Sequence, residues 1–251
     1  MIYRCGKCGK DFEVAGAGNV LCPHCKTQVT IPGDSLFAWG RRKELGWWKA
    51  FWLTVKNSLT EPGRFFESVP PQGGYEAPIY YGMICLCVGI VFSAIYQFFF
   101  QSLGFLFQMM MERSKEMVLG AGIYSTITLV VIITAPLSAF IHLFLYSAVY
   151  HLFVWIVGGN RRGFEATFRA FAFSQGPQLL HVVPFVGPFV AFVWFYILFV
   201  QGLKKLQNCS TGQAVLAAFL PLIFLCCLTF FIIFGIVFLV AALVALAHKP
   251  S

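Results

Sequence analysis

Residues 77–111, 117–160, 170–203 and 206–248 contain no Lys, Arg, Asp or Glu. A membrane-crossing helix needs about 20 apolar residues, and each window exceeds that. One ionised side chain at mid-bilayer costs about 2.5–3.5 kcal/mol on an insertion scale, so uncharged windows of this length are what a lipid environment demands. The pattern predicts helices near 78–108, 121–157, 165–183, 187–204 and 212–247. Pro136 and Pro221 sit inside the second and the last, where kinks are expected. Val183-Pro-Phe-Val-Gly-Pro188 forms the tight turn between the third and fourth. The fold class is thus an all-α polytopic membrane protein of about five transmembrane helices, residues 77–251, although the last apolar stretch has length enough for two.

Before the spans, residues 36–76 read as an amphipathic juxtamembrane segment. Trp48, Phe51, Trp52, Val55 and Leu59 fall on one helical face, with Lys49 and Lys56 beside it. Trp39, Trp47, Trp48, Trp52, Arg41, Arg42 and Lys43 are the candidate membrane-interface residues. Indole rings favour headgroup depth, and basic side chains attract anionic lipid. Packing of the same face on the membrane bundle is the alternative. Glu61-Pro-Gly-Arg-Phe-Phe66 and Val69-Pro-Pro-Gln-Gly-Gly-Tyr75 are turns leading into the bilayer.

Residues 1–35 differ in kind. They lack the apolar core of a signal peptide and carry Cys5-Gly-Lys-Cys8 and Cys22-Pro-His-Cys25. Two such pairs at this separation match the spacing of a β zinc ribbon, with Cys5, Cys8, Cys22 and Cys25 as metal ligands. Phe12 and Val14 are expected on one face of a strand, and Thr27–Ile31 as another strand. Four thiolates close the coordination sphere, so the implied cofactor is a structural Zn²⁺. A redox dithiol pair or a disulfide is the alternative chemistry, and His24 is an alternative ligand within the second knuckle. The segment has no basic stripe, which argues against nucleic acid as a partner.

Composition agrees. Hydrophobic residues make up 59% of the 251, charged residues 11%, and Phe fills 29 positions. The mean hydropathy is +0.76. Lys and Arg exceed Asp and Glu by 18 to 10. With the N-terminus inside and five crossings, fifteen of the basic residues lie on the inner side and three (Arg113, Lys115 and Lys249) outside. That bias places the N-terminus in the cytoplasm and the C-terminus outside. The expected location is a bacterial inner membrane.

Three stretches resemble the Yip family, multi-spanning proteins named for binding Ypt/Rab GTPases. One is Glu61-Pro-Gly-Arg-Phe-Phe66 followed by Tyr75-Glu-Ala-Pro78. The second is Gly158-Gly159 with Gly163-Phe-Glu-Ala-Thr-Phe168. The third is Pro184-Phe-Val-Gly187 with Trp194 and Asn208-Cys-Ser-Thr-Gly212. The resemblance covers about 200 residues and implies a five-span domain with a cytoplasmic N-terminus. The Asp-Leu-Tyr-Gly-Pro motif of eukaryotic members is absent, which points to a prokaryotic-type member with an N-terminal ribbon.

His142, His151 and His181 lie in or near spans, and His142 and His181 form a candidate intramembrane polar site. The alternative is neutral imidazoles hydrogen-bonded to neighbouring helices. Cys85, Cys87, Cys226 and Cys227 read as packing residues, and Gly89 with Ser93 and Ala241 with Ala245 as close-contact helix positions. Glu165 is expected to pair with nearby arginines. No nucleophile–base set, phosphate loop or paired carboxylate occurs, so no enzymatic activity is expected. The sequence supports a scaffold or adaptor whose partners are the lipid bilayer and either a protein bound through the ribbon or a second copy. A transporter of a small solute, ion or lipid through the helix bundle is the alternative.

Overall fold

The computed structural model describes residues 2–5, 7–13, 18–31, 36–111 and 115–247. Gly6, Val14, Arg113 and Lys249, each used in the sequence argument, lie outside them. The chain divides into two units, Met1–Pro70 and Pro71–Ser251.

The first unit opens with two antiparallel hairpins. β1 (Ile2–Arg4) pairs with β2 (Asp11–Glu13), and β3 (Gly18–Leu21) with β4 (Gln28–Ile31). Cys5, Phe12 and Cys22 are their buried core, with Cys8 and Cys25 packed against it. A 3-10 turn (Ala38–Arg41), α1 (Arg42–Leu45), α2 (Trp47–Thr60) and α3 (Pro62–Ser68) follow. Gly46 at φ 83° makes the turn into α2, and Pro62 opens α3, where its missing N–H costs nothing. α2 buries Ala50, Phe51, Thr54, Val55 and Ser58. Trp39 donates its backbone N–H to Thr54 Oγ1 at 2.8 Å, and Asn57 Nδ2 donates to the Leu36 carbonyl.

The second unit is all helical: α4 (Glu76–Met111), α5 (Lys115–Ile156), α6 (Gly163–Phe173), a 3-10 segment (Gly176–Val182), α7 (Val186–Leu206) and α8 (Thr211–Ala247). Among the described residues, four helices are long and apolar enough to cross a bilayer: α4, α5, α7 and α8. α5 and α8 run unbroken through Pro136 and Pro221, and α8 is one helix rather than two.

The continuous helix expected over 165–183 is a correction. α6 ends at Phe173, and a 3-10 segment takes over after Gly176-Pro177. Pro177 has no N–H to extend the α-helical ladder, and the Ser174 hydroxyl bonds back to the Ala170 carbonyl at 2.7 Å. The two pieces still climb the full height of α4's lower part. Glu165, at the start of α6, meets Gly73 and Gly74 just below α4. Val182, at the end of the 3-10 segment, accepts from the Tyr96 hydroxyl. Glu76 to Tyr96 is a rise of about 30 Å, the thickness of a hydrocarbon core.

α6 is the centre of the bundle, with every residue from Ala166 to Phe173 buried. Phe171 makes edge contacts with Phe195 and Phe199 of α7 and lies against Tyr150 of α5. At its base α8 buries Ala214, Ala217 and Ala218, whereas Ile223 to Phe238 presents large apolar side chains outward, as lipid-facing helices do.

A four-cysteine cluster and the polar sites of the bundle

The hairpins bring Cys5, Cys8, Cys22 and Cys25 together, with all four sulfurs within 4.8 Å of one another. Cys5 Sγ is 3.5 Å from Cys25 Sγ, and Cys8 Sγ is 3.7 Å from Cys22 Sγ. A disulfide would need about 2.05 Å, and all four thiols are free. Ligands about 2.3 Å from a tetrahedral zinc sit about 3.8 Å apart, so the observed edges fit that ion. His24 is exposed and outside the cluster.

Each pair sits in the same backbone turn. Cys5 N donates to Lys10 O and Gly9 N to Cys5 O; Cys22 N donates to Thr27 O and Lys26 N to Cys22 O. The Thr27 hydroxyl, 3.3 Å from Cys25 Sγ, and the Thr27 backbone N–H favour the thiolate and bring the Cys25 pKa down to about 6. A ligand poised as its thiolate suits metal capture.

The interface residues separate into two groups. Trp47, Trp48 and Trp52 are exposed, and Lys43 is too. Arg41 pairs with Glu44 at 3.2 Å. Trp39 and Arg42 do not belong with them: Trp39 is 0% exposed and Arg42 8%. The Trp39 ring packs edge-on against Trp47 and Phe51, and the Arg42 guanidinium lies 5.5 Å from its centroid. These two residues build the core of the helical segment. The single apolar face of α2 is likewise split, because Phe51 and Val55 turn inward while Trp48 and Trp52 form an exposed shoulder.

In the bundle, His151 Nδ1 lies 2.9 Å from Thr167 Oγ1 of α6, a structural hydrogen bond between helices. His142 stacks on Tyr146 at 4.1 Å and on Phe171 at 5.8 Å. His181 Nδ1 lies 3.1 Å from the Gln178 carbonyl. His142 and His181 line one cavity of about 310 Å³ between α4, α5 and the 3-10 segment. Cys85 is buried, while Cys226 and Cys227 are exposed on α8. Gly89 serves close packing: a Cβ there would stand 3.2 Å from Gln178 Cβ.

Three polar junctions tie the lower end together, and the expected pairing of Glu165 is with Arg169. Arg169 is buried, with Nη1 donating to Gly74 O at 2.8 Å and lying 3.9 Å from Glu165 Oε1. The same carboxylate oxygen accepts the N–H groups of Gly73 and Gly74 at 2.7 Å each. Arg161 and Arg162 do not pair with Glu165: their backbone N–H groups go to Gln207 Oε1. Gln207 Nε2 donates to Gly163 O and Thr167 Oγ1, so one buried amide ties α7 to the start of α6. Ser210 and Gln213 exchange side-chain-to-backbone hydrogen bonds, a capping box at the start of α8. Its Ser-x-x-Gln spacing was readable in the sequence; the pairing of Gln207 was not, since its partners lie forty or more positions away.

Comparison with curated proteins and with solved structures gave no match. A family model described as the Yip1 domain matches residues 56–234. That range takes in the end of α2, α3, the Gly73-Gly74 clamp, the α6 hub and most of α8, and begins after the cysteine cluster. The integral membrane bundle is therefore a Yip1 domain, and the chain belongs to that family.

Proposed function

We propose that this protein is a non-enzymatic membrane scaffold in which a zinc-organised ribbon of residues 1–35 recruits a cytoplasmic protein to a Yip1-domain bundle. The observation that carries the reading is the four-sulfur cluster at tetrahedral spacing. A segment with Cys5, Phe12 and Cys22 as its buried core has too little apolar surface to fold alone, so bound metal supplies its stability. The closed sulfur set leaves no position for a substrate, which makes the zinc structural. A rise that matches the hydrocarbon core supports a fifth crossing by the α6 and 3-10 pieces. Five crossings with the inward bias of Lys and Arg support a ribbon in the cytoplasm of a bacterial cell, where thiols stay reduced. The exposed Trp47, Trp48 and Trp52 shoulder would hold α2 at headgroup depth.

The test is capture of cytoplasmic proteins by the full-length chain in native membranes. A partner held by the wild type and lost from Cys8→Ser and Cys25→Ser, with both variants still inserted, supports the reading. The same proteins held by all three chains would end it.

A second reading, movement of a small solute or lipid through the bundle, is favoured by one observation. The cavity between α4, α5 and the 3-10 segment reaches both His142 and His181.

A further inference from the structure

A bundle surrounded by hydrocarbon pays for each polar side chain it holds away from headgroups. Yet α4, α5 and the 3-10 segment converge Ser93, Gln97, His142, Gln178 and His181 on one cavity of about 310 Å³. The volume is about ten times the share of one liquid water. Gln178 Nε2 and both imidazoles are held in place from behind. Gln178 Nε2 donates to Gln175 Oε1 at 3.4 Å, Gln175 Nε2 to Phe171 O, and His142 is fixed by stacking on Tyr146 and Phe171. Gly89 lets the 3-10 segment approach α4 this closely.

Among the described residues, no hydrogen bond reaches either ring nitrogen of His142, and His181 is engaged only through Nδ1. Partly buried polar atoms without partners favour a guest that supplies them. No Lys, Arg, Asp or Glu lines the cavity, so it offers no cation to a phosphate and no carboxylate to a metal ion. Neutral imidazoles and amides present both donors and acceptors, which suits hydroxyl and carbonyl oxygens. Ser93 and Gln97 are exposed on α4, so the mouth opens sideways toward lipid, beside exposed Phe98 and Val131. Polar groups set among apolar walls such as Leu86 and Ala94 are the chemistry of a ligand pocket.

We infer that this cavity binds the uncharged, oxygen-bearing head of a membrane-soluble lipid, with the tails leaving sideways into the bilayer. The shared chemistry is a neutral head with hydroxyl or carbonyl oxygens, offered by diacylglycerol-type and quinone-type lipids alike. Binding stands whether or not anything is transported, and it is independent of the ribbon.

The experiment photo-crosslinks full-length protein in phosphatidylcholine vesicles with three probes: a head-labelled diazirine diacylglycerol, an azidoquinone and a diazirine phosphatidylcholine. The expected result is labelling by one of the two neutral probes concentrated on peptides holding residues 89–97, 142 or 178–181; which probe labels identifies the source. Ser93→Phe fills the mouth, and His142→Phe keeps the stacking while removing the ring N–H. Each should cut that labelling about tenfold, the loss expected when a guest forfeits a buried hydrogen bond or its space. Gln97→Leu, at an exposed position, serves if either variant fails to insert. Equal labelling of α8 around Ile233, unchanged labelling in the variants, or labelling by phosphatidylcholine alone overturns the assignment.

Discussion

Lys26 takes the same left-handed backbone turn that Gly9 takes, with φ 52° against 69°, each one residue past the second cysteine of its knuckle. A Cβ in this region costs about 1 kcal/mol, and glycine pays nothing for it. Lys26→Gly should therefore retain metal at least as well as the wild type and resist chelator for longer. Gly9→Val, adding a branched side chain to the equivalent turn, should weaken the ribbon by about 1–3 kcal/mol. Competition with a zinc chelator, followed by thiol labelling, reads both.

Glu165 and Arg169 should prove unequal. Arg169 is buried, and Glu165 is the carboxylate set beside its guanidinium, with Oε1 3.9 Å from Nη1. Glu165 keeps two backbone N–H donors if Arg169 is lost. Stranding a buried charge costs about 3–5 kcal/mol, so Glu165→Ala should destabilise the bundle clearly more than Arg169→Met. Thermal unfolding in detergent, followed by aggregation on size-exclusion chromatography, gives the order; equal losses would mean the clamp is not an ion-pair device.

The turn between the 3-10 segment and α7 cannot accept a side chain at Gly187. A Cβ there would lie 1.9 Å from the Leu180 carbonyl oxygen, a backbone atom with nowhere to go. Gly187→Ala should abolish monodisperse protein or cost several kcal/mol, at the large end of single-residue effects. Gly212→Ala, with open space around its Cβ position, is the matched control and should behave as wild type.

What the sequence reveals here follows from how local the physics is. Lipid imposes uncharged stretches on every spanning helix, so α4, α5, α7 and α8 could be located without any knowledge of their partners. The knuckle spacing is local too, and it located the cluster. The break at Gly176-Pro177 was also in plain sight, but the uncharged run across it reads as one helix when only length and charge are weighed. Trp39 and Arg42 resemble interface anchors by residue type, and only the fold of the helical segment shows them stacked inside it. The Gly73–Glu165 contact, the Gln207 hub and the shared cavity of His142 and His181 join residues far apart in the chain. No periodicity encodes such pairings.

Topology offers a separate check. If the α6 and 3-10 pieces cross the bilayer, the two ends of the chain lie on opposite sides. Membrane-impermeant labelling of a tag after Ser251 in intact cells should succeed, while a tag before Met1 stays protected until the membrane is opened. Both tags protected would mean four crossings, with the broken segment re-entering on one side.

Zinc content of the full-length protein, purified in detergent without chelator, tests the central claim most directly. Elemental analysis against protein concentration should give about one zinc per chain for the wild type, as four thiolates around one ion require, and essentially none for a variant carrying Cys8→Ser and Cys25→Ser. Wild-type protein that remains free of zinc after equilibration with the ion, its four thiols still open to alkylation, would contradict the account.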